Sequence, residues 1–476
     1  MKRALLFAFR AGLFVLFVIS LIVPDVFADP GLITASTFIT TSITWGGKET
    51  LDYFLRPMFI GKSPLETQGI RIIPNVVSGQ KLNYFGAASK LLKAYAKGFS
   101  AASGTTYTQR TLTTYRMKAE AADDALDFYQ TVFESGLRKD DWNNLDDTML
   151  KNIIIEIYAN AVASDVYRQF WLNNDDKETV SSGVISGTAD ADYNAFDGMW
   201  KLLMSNAATS PSDTQIFRHT VTDGAVAQVN TVTLTGTAGT ANVTVGGVNY
   251  LATFDTSIAV TSAAFVALHA AALALREITL TGTTTLVFTS AVPGQPIPTP
   301  TVTNVTGNLD GSNAATTANT APAALASGES EDIFLALHVG ADKVLKQLPA
   351  NQKVFLVSDL VLENYMTYLE SLGTERAQVL LENGQSFYTY RGIPIIGMGW
   401  DVHLDADFPH ASGSLYAYPH RVIYTSIDNL VLGIDSANQF TETKMWYNPD
   451  QEENRFRSKL VMGVQYVHNK LTAVAY

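Results

Sequence analysis

The sequence predicts an α+β chain with a small β-rich domain inserted into a larger body. Three observations carry this. Apolar residues make up 47% and charged residues 16% of the 476 positions, which excludes a disordered chain, a coiled coil and a collagen-like chain. From Leu145 to Trp171 apolar residues recur at helical spacing. Between Val221 and Gly328 the charged residues are Asp223, Asp255, Arg276, Glu277 and Asp310, in a background of Thr, Ala, Val and Gly. At roughly 100–200 residues per domain, the length suits two to four domains.

The N-terminus has the pattern of a secretory signal. Lys2, Arg3 and Arg10 precede an apolar run from Ala11 to Val23, and Val26-Phe27-Ala28 supplies a cleavage site. The run is shorter than the about 20 apolar residues of a membrane span, and no second segment of membrane length is expected. Residues 31–57 are Thr/Ile-rich and read as an extended arm. Residues 48–118 carry eleven Lys/Arg and three Asp/Glu, and Gly86–Tyr107 reads as a long hairpin or loop. Residues 119–200 reverse the sign, with seventeen acids and five bases. Such blocks are either two separately solvated faces or a basic loop that lies on an acidic neighbour. For the second, the candidate contacts are Lys81, Lys90, Lys93, Lys97 and Arg110 on the loop and Asp123, Asp124 and Asp127 on the acceptor.

A helix is expected from Met117 to Phe133. A longer one is expected from Leu145 to Trp171, with Asp146 and Asp147 at its positive end and a stripe of Leu150, Ile153, Ile154, Ile157, Ala161 and Val162. At 1.5 Å per residue it spans nearly 40 Å, the length of a domain. In the charge-poor stretch, strands are expected at Asn230–Thr235, Ala241–Val245 and Ile278–Thr289, and a helix from Ser262 as N-cap through Arg276. Val292–Pro300 and Gly311–Ala326 read as linkers. Beyond Glu329 the pattern gives a helix over 331–348, a strand at Lys353–Val357 and a helix at Asp359–Leu372. Strands follow at Tyr388–Ile396, Thr443–Tyr447 and Asn454–Tyr476, the last two linked through a turn at Asn448-Pro449-Asp450.

Catalytic motifs are scarce. With no cysteine, thiolate metal sites, disulfides and a cysteine nucleophile are excluded. Gly47-Lys48 lacks the first glycine and the Ser/Thr of a phosphate loop, and Gly397-Met398-Gly399 lacks the third glycine of a dinucleotide turn. One constellation stands out: Asp401, His403, Asp405 and Asp407, with His410 nearby. In an extended strand these alternate residues share an edge and could hold Ca²⁺, Mg²⁺ or Zn²⁺; the alternative is an exposed acidic loop. No cofactor is expected. A net charge of −12 gives no overall attraction to nucleic acid.

Six segments stand out: Val354-Phe355-Leu356-Val357-Ser358, Tyr390-Arg391-Gly392-Ile393-Pro394-Ile395, Ile427-Asp428-Asn429-Leu430, Met445-Trp446-Tyr447, Glu452-Glu453-Asn454-Arg455 and Gly463-Val464-Gln465-Tyr466-Val467. They resemble tailed-phage major capsid proteins of the Hong Kong 97-like fold, most of all those of Bacteroides-group and crAss-like phages. The resemblance implies an N-terminal arm over 29–65 after a removable segment 1–28, and an extended loop over 66–118. It further implies a peripheral domain from 119–185 plus 440–476, an axial domain from 186–218 plus 329–439, and the β-rich insertion at 219–328. The implied function is a structural one, without catalysis. Subunits would form hexamers and pentamers of an icosahedral virion shell that contains double-stranded DNA without sequence-specific binding. Portal, scaffold and decoration proteins are the implied partners, and the mature form has no membrane. The signal-like leader departs from that family. It keeps open a secreted or surface β-rich binding protein and, behind it, a secreted metal-dependent hydrolase using residues 401–410.

Overall fold

The computed structural model describes residues 43–45, 69–86, 97, 107–124, 149–181, 184–373, 378–380, 386–407, 416–435, 442–448, 450–451 and 453–476. The segment 1–28 and most of the arm lie outside them. The chain forms two compact units, one of Met1–Thr44, Glu120–Glu156 and Lys444–Phe456, the other of Trp45–Ala119, Ile157–Thr443 and Arg457–Tyr476. In the first, the described residues hold parts of the strands Ile43–Trp45, Tyr115–Asp124, Glu442–Asn448 and Glu453–Tyr466 and the start of the helix Met149–Leu172, with Arg455 Nε donating to Glu453 Oε1 at 2.6 Å.

The larger unit is built on an eight-stranded mixed sheet. Its order is Gln378–Leu380, Ser386–Tyr390, Ile393–Gly397, Lys353–Val357, Val422–Ser426, Thr472–Ala475, Ile216–His219 and Ala207–Ala208. The central strands KVFLV, VIYTS and TAVA are buried at every position, which is why they read as continuous apolar runs and not as alternations. Helices Glu329–Gly340 and Asp359–Ser371 bring Phe334, Val361 and Tyr365 into the same core as Phe355 and Tyr424. Phe355 and Tyr424 stack at 4.5 Å. The helix expected over 331–348 breaks at Ala341, where Asp342 caps a second short helix, Lys343–Gln347, by accepting from Val344 N at 2.8 Å. The strand expected over 388–396 is a hairpin, reversed at Arg391 and Gly392, which have φ of 52° and 77°.

A second sheet holds Ile70–Pro74 parallel to Leu430–Ile434, which runs antiparallel to Glu453–Tyr466. Gly433 faces Gly463 across this pairing. A Cβ on Gly463 would stand 2.0 Å from the Thr113 carbonyl, so glycine is required for that close approach. Glu453–Tyr466 also pairs with Tyr115–Asp124. The helix expected from Met117 is therefore a strand as far as Asp124; the pairing with a long neighbouring strand overrides local propensity. The last predicted strand stops at Tyr466, and Asn469–Leu471 forms a 3₁₀ turn before Thr472–Ala475.

The long helix runs over Met149–Leu172. Among its described side chains the buried ones are Val162, Val166, Phe170, Trp171 and Leu172, whereas Ile157 is 58% exposed and Ala161 is also exposed. The expected stripe is thus wrong at Ile157 and Ala161. The face turned to the core is set by the aromatic end of the helix, where Phe170, Trp171, Trp400 and Trp200 make successive edge-to-face contacts at 4.8, 5.0 and 5.1 Å. The other stripe residues, Leu150, Ile153 and Ile154, have side chains outside the described set, as do Asp146 and Asp147.

The charge-poor stretch folds as seven strands and one helix around a core of its own. One sheet has the order Ile278–Thr281, Leu286–Ser290, Val229–Thr235, Asp310–Thr317; the other has Val248–Thr253, Gly239–Val245, Thr301–Gly307. Inward residues of both sheets, including Val232, Val243, Tyr250 and Phe288, share that core with Phe265 and Leu273 of helix Ile258–Leu275. The helix starts one turn earlier than expected. Ser257 is the cap, accepting from Val260 N at 3.3 Å, while Ser262 is buried inside the helix. The presumed linker Gly311–Ala326 contributes most of an edge strand paired with Val229–Thr235. By length and composition, Ile258–Leu275 could also cross a membrane, with a mean hydropathy of 2.0, which corrects the expectation of no second apolar segment. Here one face of it packs on this core.

The module is seated on the hairpin of strands Glu178–Ser181 and Val184–Ala189. Ile185 joins the module's core, and Arg276 forms a nearly buried ion pair with Glu178, donating from Nη2 at 3.0 Å and from Nε.

Candidate assembly surface

The basic loop is a ribbon. Gln80–Phe85 pairs antiparallel with Tyr107–Leu112, from Gln80 opposite Leu112 to Phe85 opposite Tyr107. Its base is rooted: Leu82 and Leu112 are buried with Val76 and Val431, and Gln465 Nε2 donates to Thr111 O at 3.2 Å. At the last pair of these strands, Phe85 is 67% and Tyr107 50% exposed, their rings 5.2 Å apart. Tyr107 Oη donates to Asn83 Oδ1 at 2.7 Å, which holds the ring pair in place. A two-stranded ribbon with an exposed aromatic end is marginal alone in water and has the residue types that interface centres favour.

The candidate charges are spread over this region. Lys81 Nζ bonds Thr111 Oγ1 at 2.5 Å across the ribbon, and the Arg110 guanidinium lies 3.9 Å from the centre of the Tyr466 ring. Lys97 is exposed. Lys90, Lys93 and Asp127 lie outside the described residues, as do the side chains of Asp123 and Asp124.

The Asp401–His410 constellation does not form a metal edge. Trp400–Asp407 is an α-helix, because Trp400 and Leu404, one turn apart, are both buried. Helical spacing turns Asp401 and His403 to different sides, and each acid has other work. Asp401 Oδ2 accepts from the backbone N of Asp359 at 2.7 Å and of Leu360 at 3.2 Å, and Tyr416 Oη donates to Oδ1. Asp407 accepts from Tyr193 Oη, and Asp405 is exposed. Among the described residues no three His, Cys, Asp or Glu side chains converge as metal ligands. His410 lies outside them.

Burial sets the titration of this unit. It raises Asp401 to about 6, helped by the neighbouring Asp359. It raises Asp197 to about 6, helped by Asp175, against an ordinary value of 3.8. A carboxyl whose pKa is raised on folding adds stability below its unfolded value and loses it as pH rises through the folded value. Asp197→Asn removes that loss. It is expected to raise the melting temperature at pH 7.5 and leave it nearly unchanged below pH 4, as read by scanning fluorimetry at both pH values. His403, His420 and His468 are pushed down by burial, so their share of stability fades as pH falls below 6.5.

No family model and no curated protein matches the chain. Among solved structures, the satellite phage P4 procapsid aligns at TM-score 0.37 and 10% identity over 100% of this chain and 97% of that one. The encapsulin complex from Synechococcus elongatus aligns at 0.35 and 10% over 95% of each chain. The capsid of Cyanophage P-SCSP1u aligns at 0.36 and 8%, over 94% of this chain and 91% of that one. With TM-scores below 0.5, function has to be argued from the chain's own residues.

Proposed function

We propose that this chain is the major capsid protein of a tailed phage, forming hexamers and pentamers of an icosahedral shell around double-stranded DNA. The observation that carries this reading is the strand pair Gln80–Phe85 and Tyr107–Leu112, rooted at Leu82 and Leu112 yet exposing the Phe85–Tyr107 pair. An apolar ribbon end of this kind is stabilised by a neighbouring subunit, and closed shells need each subunit to reach several neighbours through heterologous contacts. The capsid-like sequence segments support the reading too. Val354–Ser358 and Ile393–Ile395 lie in or beside the main sheet, and Gly463–Tyr466 lies in the second. The net charge of −12 suits a container that encloses DNA without gripping it. We assign no catalytic turnover, because the carboxylates of Asp401 and Asp407 are engaged by backbone amides and tyrosine hydroxyls. The Bacteroides-group kinship, the inserted domain as an outward protrusion, and portal, scaffold and decoration partners belong to the same proposal.

Size-exclusion chromatography with negative-stain microscopy tests it: purified protein is expected to give closed shells of uniform size. Protein that stays monomeric under every assembly condition overturns the proposal. The double variant Phe85→Asp with Tyr107→Asp is expected to abolish shells while circular dichroism stays native. A hot-spot aromatic carries about 2 kcal/mol or more per contact. Shell yields equal to the parent's would show that the ribbon end is not the contact.

A further inference from the structure

We propose that a cleft at the root of the charge-poor module binds a small organic anion, its carboxylate met by Arg421 and its apolar body lying along Trp200 and Leu404. The cleft is formed where the end of the long helix and the following turn (Leu172, Asn173, Lys177), helix Met199–Ser205 (Trp200, Lys201), the module (Glu277, Gln295) and the Ala417–Arg421 segment meet.

Three features show a built site. First, Arg421 is 8% exposed yet has no ion pair among the described residues. It donates from Nε to Tyr418 O at 3.0 Å and from Nη2 to Ala417 O at 3.2 Å, and it sits 5.3 Å from the centre of the Trp200 ring. Those carbonyls fix the guanidinium in place without neutralising it, and Nη1 has no protein acceptor among the described residues. Glu277 and Asp401 act on it only at longer range; a buried arginine is costly without a close charged partner, and its planar fork matches a carboxylate. Second, Asn173 is 1% exposed, and neither its Oδ1 nor its Nδ2 has a partner. The indole Nε1 of Trp200 is likewise unpartnered. Native interiors seldom leave such groups without a partner; among the described residues these atoms have none and are themselves buried, in residues that border the cleft. Third, the charge balance of the lining is positive. Lys177, Lys201 and Arg421 face one carboxylate, Glu277. Asp176, 4.0 Å from Lys201 Nζ, is outside the lining, and so is Asp190, which also acts on Lys177. The rest of the wall, with Val292, Met204 and Leu172, is apolar, which selects an anion with a hydrocarbon body over a bare mineral ion.

The test is calorimetric titration and thermal melting of the full-length protein with four probes. Phenylacetate has both head and body, acetate the head alone, phenethylamine the same body with opposite charge, and inorganic phosphate a mineral anion. Phenylacetate is expected to bind saturably and raise the melting temperature, with the other three at least tenfold weaker. Arg421→Gln is expected to weaken phenylacetate at least tenfold. Should that variant fail to fold, Lys201→Gln, at a partly exposed position, is expected to weaken it about threefold or more with the fold retained. Equal responses to phenylacetate and phenethylamine overturn the proposal. So does a preference for phosphate over phenylacetate, or unchanged affinity in the folded variants.

Discussion

Trp400→Ala is expected to lower stability by about 3–5 kcal/mol, the range for emptying a large buried aromatic site. Trp400 is fully buried and bridges Trp171, on the long helix, and Trp200, on the short helix Met199–Ser205, at 5.0 and 5.1 Å. Its own helix also carries Asp401, which caps Asp359–Ser371, and Asp407, which holds Tyr193. Removing the indole thus loosens four elements at once, and the rigid rings around it cannot collapse to fill the gap. Urea unfolding followed by circular dichroism checks this. A midpoint shift equivalent to less than 1 kcal/mol would show that the cluster is not a structural hub.

Arg276→Met should cost about 3–5 kcal/mol, because it strands Glu178 as a buried, unpaired carboxylate. Arg276 also donates from Nη1 to Val245 O at 2.8 Å and to Tyr250 Oη at 3.1 Å, and Glu178 Oε2 accepts from Gly187 N at 2.7 Å. The double variant Arg276→Met with Glu178→Gln is expected to recover most of the loss, since no unpaired charge remains. A double-mutant cycle in urea decides, and strictly additive losses would refute the coupling. The pair also constrains removal of the charge-poor module. Splicing Arg218 to Gly328 takes away Arg276 and the core around Ile185. A folded deletion is therefore expected when Glu178 and Ile185 are made polar and neutral, and not from splicing alone.

Long periodic or unbroken apolar runs were legible. The helix 149–172, the strand at 353–357 and the helix after Asp359 follow from their own residues, whereas the single run expected at Ile278–Thr289 is two antiparallel strands, Ile278–Thr281 and Leu286–Ser290. Contacts distant in sequence decided what was missed. Residues 115–124 become a strand because Glu453–Tyr466 lies beside them, and Gly311–Thr317 does so because Val229–Thr235 does. At Asp401–Asp407, alternation of polar residues outweighed a signal that was present: Trp400 and Leu404 at helical spacing, with Val402 between them exposed. The hairpin or loop expected over Gly86–Tyr107 lies almost wholly outside the described residues; the paired strands Gln80–Phe85 and Tyr107–Leu112 flank it, and their Phe85–Tyr107 pair depends on a register between strands more than twenty residues apart. The cleft around Arg421 had no sequence signal, because its walls come from four separated segments.

The position of Thr472–Ala475 in the main sheet bears on the order of events during synthesis. This strand lies between Val422–Ser426 and Ile216–His219, pairing antiparallel with the first and parallel with the second. The sheet therefore cannot close until residues 472–475 have left the ribosome, whereas the module's strands all fall within 229–317 and can finish during translation, N-terminal first. A nascent chain stalled before Thr472 should show a protease-resistant module on a protease-sensitive body. The body would thus stay open while the module is already closed; a stalled body as resistant as the finished protein would refute this order.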